Sequence, residues 1–213
     1  MFITFEGPEG SGKSTQIERL AGRLRVAGQS HVVTREPGGT ALGERLRGLL
    51  LDSEFVPGAV TEAYLMTAAR AEHVCTVIRP ALERGDWVLC DRYVDSTVAY
   101  QGAGRGIDIP KLRSIQELAT GGLMPDVTIL LDVDVREGLE RRSRLGGQNR
   151  IDQEEVSFHQ RVAAWYRAEA RRCVERWIVI DASREIEEVE QAIIAALLTT
   201  PAWSILAVER NPE

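Results

Sequence analysis

Along the chain, short unbroken apolar runs alternate with longer stretches whose apolar residues recur at helical spacing. The runs Met1–Phe5, His31–Thr34, Asp86–Cys90, Val127–Leu131 and Trp177–Ile180 read as strands. Helical patterns cover Ser14–Val26, Ala41–Leu50, Thr61–Arg84 with a break at Pro80, Pro110–Thr120, Val135–Arg144, Glu154–Arg176 and Ile186–Leu198. In the first of these, Ile17, Leu20, Ala21 and Leu24 share one face. Strands without apolar–polar alternation suit the middle of a parallel sheet covered by helices on both sides, so the pattern predicts an α/β fold. Two Gly-rich stretches beside arginines, Gly102–Gly106 and Leu145–Asn149, read as loops of the kind that make mobile, phosphate-contacting lids. From Thr199 to Glu213 there is no clear period, and no internal repeat is present.

The 213 residues, 44% of them hydrophobic, suffice for one substantial core and show no compositional break between domains. No apolar run approaches a membrane span, and the N-terminus enters its first strand without the basic stretch and apolar core of a signal peptide. A cytoplasmic protein is expected. Cys75, Cys90 and Cys173 lack the spacing of a zinc site or a disulfide framework and read as reduced packing residues. A net charge of −6 argues against a nucleic-acid-coating surface but allows a small anionic ligand where arginines gather. Of the 26 Lys plus Arg, only Lys13 and Lys111 are lysine.

That scarcity sharpens the motif at the end of the first strand. Gly7-Pro8-Glu9-Gly10-Ser11-Gly12-Lys13-Ser14 has the form G-x-x-x-x-G-K-[ST], set between a strand and a helix. Glycines there let backbone N–H groups wrap a phosphate above a helix N-terminus, Lys13 reaches the outer phosphates, and the Ser14 hydroxyl ligates Mg²⁺. Further candidates fall at strand ends, where α/β phosphoryl-transfer proteins place their ligands. After the second strand comes Thr34-Arg35-Glu36-Pro37-Gly38-Gly39-Thr40, in which Arg35 can grip a phosphate beside a tight turn, with Arg47 further along. After the third comes Asp91-Arg92-Tyr93, an acid suited to hold Mg²⁺ and an arginine suited to bridge two phosphates. Met66 and Arg70 lie four residues apart on one helical face, an apolar contact and a donor for a base. Arg141, Arg142, Ser143 and Arg144, with Arg150, form a basic segment able to close over a phosphate donor.

Together with Ala99-Tyr100-Gln101-Gly102, these segments resemble the bacterial thymidylate kinases from Phe2 to about Leu198. The resemblance implies a three-layer P-loop kinase fold: a parallel five-stranded sheet, helices on both faces and a short lid. It implies one domain over 1–198 with the lid at about 141–153, and a tail over 199–213 of unassigned role. The implied activity is transfer of the γ-phosphoryl group from ATP to dTMP, with Mg²⁺, in a homodimer. ATP would lie on Gly7, Pro8, Glu9, Gly10, Ser11, Gly12, Lys13, Ser14, Thr15 and Arg141, and the metal on Ser14 and Asp91. Glu9 matches the acid touching the deoxyribose, while Arg35, Arg47 and Arg92, beside Pro37, match the residues around the dTMP phosphate. Arg70, Thr97 and Gln101 match positions that read the thymine edge, and Tyr100 a ring that crowds the ribose 2′ position. The catalytic set is Lys13, Asp91, Arg92 and a lid arginine, because Gly10 stands where relatives with an arginine in the loop carry that charge. Arg142, Arg144 and Arg150 are the candidates. Met66 stands where the family usually stacks an aromatic ring on thymine, implying a less rigid contact. A nucleoside monophosphate kinase of other base preference is the alternative. A P-loop switch protein is a distant one, since no N-K-x-D motif is present.

Overall fold

The computed structural model describes residues 1–52, 54 and 56–200; the stretch 201–213 of the expected tail lies outside them. The elements follow in the order β1 (Phe2–Glu6), α1 (Lys13–Val26), β2 (His31–Arg35), α2 (Ala41–Leu51) and α3 (Ala59–His73). A π-helical turn (Val74–Ile78), α4 (Arg79–Glu83), β3 (Trp87–Asp91), α5 (Val94–Thr97) and a π-helical segment (Val98–Gly104) come next. The chain continues through α6 (Ile109–Thr120), β4 (Val127–Asp132), α7 (Val135–Arg144), α8 (Val156–Arg172), β5 (Trp177–Asp181) and α9 (Ile186–Leu198). No described helix is long and apolar enough to cross a membrane.

The strands form one five-stranded sheet in the order β2-β3-β1-β4-β5, with every pairing parallel. As their unbroken apolar runs predict, the inner strands β1, β3 and β4 are buried almost throughout, whereas the edge strands β2 and β5 are half exposed. On one face, Ile3, Phe5, Leu89, Ile129 and Leu131 pack against α1 and α9 through Leu20, Leu24, Ile193 and Leu197. On the other, Phe2, Val88 and Cys90 meet Val74, Ile78 and Tyr93, and Leu130 meets Phe158, Val162 and Tyr166 of α8. Side chains alternate across the strands, so each face receives its own helical layer. Local chemistry sets the helix starts: Thr40, Asp108 and Asp134 each accept backbone N–H groups of the first turn of α2, α6 and α7.

Two helical expectations and one loop expectation need correction. Pro80 does not break its helix. It sits in the first turn of α4, and the π turn directly before it absorbs the missing donor while the backbone stays helical. The helix placed over Glu154–Arg176 runs only from Val156 to Arg172, where Cys173 leaves helical geometry. The Gly-rich stretch Gly102–Gly106 is not a free loop, since the π-helical segment extends to Gly104 and packs under α8. A Cβ at Gly104 would stand 2.5 Å from the Phe158 ring, which is itself flanked by Tyr100 and Arg105. Glycine here supplies close approach between elements.

Gly104→Ala therefore overpacks this contact and is expected to lower unfolding free energy by about 1–3 kcal/mol, read as a shift of the urea midpoint. A mobile lid would tolerate the same change at no cost.

Candidate active site

The register of β1 against β3 pairs Phe5 with Asp91, which sets the turn after β1 beside the turn after β3. In the first, Gly7, Gly10 and Gly12 have φ of 141°, 69° and 87°, letting the loop turn back on itself before α1. Lys13 is buried and donates from Nζ to the Gly7 carbonyl at 3.2 Å, the Pro8 carbonyl at 2.9 Å and Ser11 Oγ at 3.2 Å. Burial, reinforced by the Arg92 charge, lowers its pKa to about 8. Ser14 Oγ donates to Asp91 Oδ2 at 2.9 Å across 77 positions of sequence, so the two expected metal ligands meet. Both offer hard oxygen donors, the chemistry Mg²⁺ takes.

Arg92 is the only non-glycine residue with positive φ among the described residues, at 70°, a conformation costing on the order of 1–3 kcal/mol. It turns the guanidinium back over the phosphate loop, where it donates to Glu9 Oε1 at 2.9 Å and the Gly7 carbonyl at 3.1 Å, and lies 4.8 Å from the Tyr100 ring centroid. Burial works against charge on Glu9, but Arg92, Lys13 and the Tyr100 hydroxyl outweigh it and hold its pKa at about 2. Holding this turn is Glu6, whose Oε1 accepts the Tyr93 N–H at 2.8 Å and whose Oε2 accepts the hydroxyls of Ser96 at 2.6 Å and Tyr166 at 2.8 Å. Burial and then Asp95 raise the Glu6 pKa to about 7.

Two spaces open here. A cleft of about 390 Å³ lies over the loop from Gly10 to Thr15, and a cavity of about 90 Å³ lies between α2, α3 and the π-helical segment. Glu9, Glu36, Arg47, Arg92 and Asn149 line both, so the two share a wall. Of the expected acceptor residues, Glu9, Pro37, Arg47, Met66, Arg92, Tyr100 and Gln101 line the cavity. Arg47 donates at 2.9 Å to the carbonyl of Pro37, whose bond to Glu36 is cis. Arg35 instead faces the cleft and pairs with Glu44 at 3.0 Å. Arg70 and Thr97 stand behind the cavity wall. Arg70 is fully buried and donates to Glu36 at 2.6 Å, Thr97 at 2.9 Å, the Tyr93 carbonyl at 2.9 Å and Gln116.

The lid arginines separate. Arg141 is anchored to the Ala182 carbonyl at 2.7 Å and, with Arg142, lines the cleft. Arg142 also pairs with Asp152 at 3.0 Å. Arg144 is exposed, near Glu140 at 3.7 Å, and lines neither space. Arg150 is buried in the cavity wall on Glu62 and the Leu50 carbonyl.

Sequence reasoning missed Glu6, Glu36, Glu62 and Gly138. A Cβ at Gly138, in α7, would stand 2.4 Å from the Glu9 carbonyl, and one at Gly10 would stand 1.9 Å from the Gly138 carbonyl. The usable signal was a lone glycine inside a helical pattern. Glu6 and Glu62 carried only the weaker signal of charge in largely apolar surroundings, and Glu36 stood beside Arg35 in the Thr34–Thr40 segment without a role of its own.

A loop of this form at the carboxyl edge of a parallel sheet, sharing a wall with a second cavity, defines a P-loop nucleotide-binding protein of the phosphoryl-transfer class. Comparison with known proteins narrows the class. The family model described as thymidylate kinase matches residues 5–193, and the chain belongs to that family. It is 60% identical over 197 residues to the thymidylate kinase of Thermomicrobium roseum, covering 92% of this chain and 93% of the relative. It is 50% identical to that of Deinococcus radiodurans, covering 92% and 96%. The crystal structure of thymidylate kinase from Ehrlichia chaffeensis superposes with a TM-score of 0.77 at 35% identity, covering 92% of this chain and 98% of that one.

Two outcomes are expected. Gly138→Ala forces α7 away from the phosphate loop and weakens ATP binding roughly ten-fold by calorimetry, with the circular dichroism spectrum unchanged. Because burial lowers the Lys13 pKa to about 8 in the nucleotide-free protein, ATP affinity should fall as pH rises through that region, by up to about ten-fold per pH unit. Lys13→Met should abolish that fall.

Proposed function

We propose that this protein transfers the γ-phosphoryl group of ATP to dTMP, giving ADP and dTDP for dTTP synthesis. The wall shared by cleft and cavity carries the reading: it lets a donor phosphate on the loop and an acceptor phosphate near Arg47 and Arg92 approach in line. A nucleotide phosphate is already a competent nucleophile, so the protein positions two polyanions and offsets their repulsion. Lys13 and the loop amides take the donor phosphates. Arg92 spans the loop and the acceptor side, and its pairing with Glu9 keeps that carboxylate ionised as an acceptor for a sugar hydroxyl. Tyr100, bonded to the same carboxylate at 2.8 Å, presses its ring beside that place, which suits a deoxyribose. Mg²⁺, held by Ser14 and through Asp91, would neutralise charge on the transferring group. Among the described residues no group of three His, Cys, Asp or Glu could hold a metal by itself, so the remaining oxygens would come from ATP and water.

Among the lid candidates Arg142 suits delivery of charge to the transferring phosphoryl, because it alone of Arg142, Arg144 and Arg150 faces the cleft. Closure of that segment would also exclude water from the reaction. We assign a cytoplasmic homodimer, supported by kinship with the family and by exposed Leu42, Leu49, Val60 and Tyr64 on α2 and α3.

The test is ADP formation from ATP with dTMP, dUMP, dCMP, AMP or no acceptor. Turnover that requires an acceptor and is fastest with dTMP is expected. ADP formed equally fast without acceptor would refute the kinase reading, and faster turnover of another monophosphate would refute the choice of dTMP.

A further inference from the structure

Among the described residues, one polar atom in the wall of the acceptor cavity has no hydrogen-bond partner. Gln101 is 1% exposed, its Nε2 donates to Glu62 Oε1 at 2.8 Å, and its Oε1 makes no hydrogen bond. Both residues line the cavity. Such an amide has two orientations of nearly equal shape, and hydrogen bonding alone chooses between them. Here the choice is forced. Inverting the amide would press its carbonyl oxygen against a carboxylate and leave its N–H groups unpaired in the wall.

The carboxylate can enforce this only while ionised, since only then is it purely an acceptor. Glu62 is itself buried, yet it receives Arg105 at 3.3 Å from the π-helical side and Arg150 from the segment after α7. Burial works to raise its pKa, but hydrogen bonds from Gln101, Arg150 and Arg105 outweigh this and hold it below the usual carboxylate range.

We propose that Glu62 is a positioning residue for base selection: by accepting from the Gln101 amide it keeps the Gln101 carbonyl oxygen available to the cavity as an acceptor. That arrangement favours a pyrimidine with an N–H at ring position 3, as in thymine or uracil, over one with a lone pair there, as in cytosine. The inference rests on the cavity being the acceptor site. Because Arg150 belongs to the lid segment, seating of that segment and the choice of base depend on one carboxylate.

The experiment is calorimetric binding of dTMP and dCMP to the wild type, Glu62→Gln, Gln101→Ala and the double variant. Both ligands are measured on each preparation, so the ratio of their dissociation constants is independent of the folded fraction. In Glu62→Gln the new amide can donate as well as accept, Gln101 is free to invert, and the preference for dTMP should drop roughly ten-fold. In the Gln101→Ala background the same change should leave the ratio unaltered, as required if Glu62 acts through Gln101. A wild-type ratio in Glu62→Gln, with both affinities lowered alike, would overturn the inference by reducing Glu62 to a structural role. An equal drop in the Gln101→Ala background would overturn it too. A wild type without preference for dTMP would overturn the acceptor-site reading along with it.

Discussion

The buried carboxylate of Glu6 ties the end of β1 to the turn that follows β3, and the geometry of the candidate site hangs from that tie. Burying a carboxylate is costly, and three donors offset the cost here: the Tyr93 N–H and the hydroxyls of Ser96 and Tyr166. The residue between the tied strand end and Tyr93 is Arg92, which is thereby kept at a φ of 70° that it would not adopt unaided. From that backbone its guanidinium reaches the phosphate loop and Glu9 together. Strain in one residue is thus maintained by hydrogen bonds to its neighbours, and the result is a charge held in the wall that the cleft and the cavity share.

A chain with only two lysines builds its polar interior from arginine–carboxylate pairs. Arg70 on Glu36 and Arg150 on Glu62 are buried on both sides. Such pairs gain little net stability, because desolvation offsets their attraction, but removing one partner strands the other. Their effect is geometric. Glu36 holds both Arg70 and His73 to the turn after β2, and Glu62 joins α3, the π-helical segment and the lid connection. Planar guanidinium groups suit this work because their several donors leave in fixed directions.

The layered parallel sheet and the phosphate loop were legible in the residues because each rests on local rules. An unbroken apolar run at β4 means burial on both faces, and glycines before Lys13 and Ser14 mean a loop that wraps an anion. Gly102-Ala103-Gly104 misled for the same reason. Locally, glycines signal a loop, yet Gly104 is small because the Phe158 ring of α8 lies against it, 54 positions later in the chain. Arg70 and Arg150 read alike as free ligand-binding charges, and only packing placed one behind the cavity wall and the other on Glu62.

By itself, then, the sequence determined the order of the strands and of most helices, the family, and most of the residues that line the cleft over the glycine-rich loop, since these follow from short-range pattern and motif chemistry. Tertiary structure decided which charges line the cleft and the cavity and which are paired with one another behind them. An arginine and its carboxylate can lie 34 or 88 positions apart, as Arg70 and Glu36 or Arg150 and Glu62 do. No local pattern encodes such a pairing, because it exists only once the sheet has set both partners in one buried place.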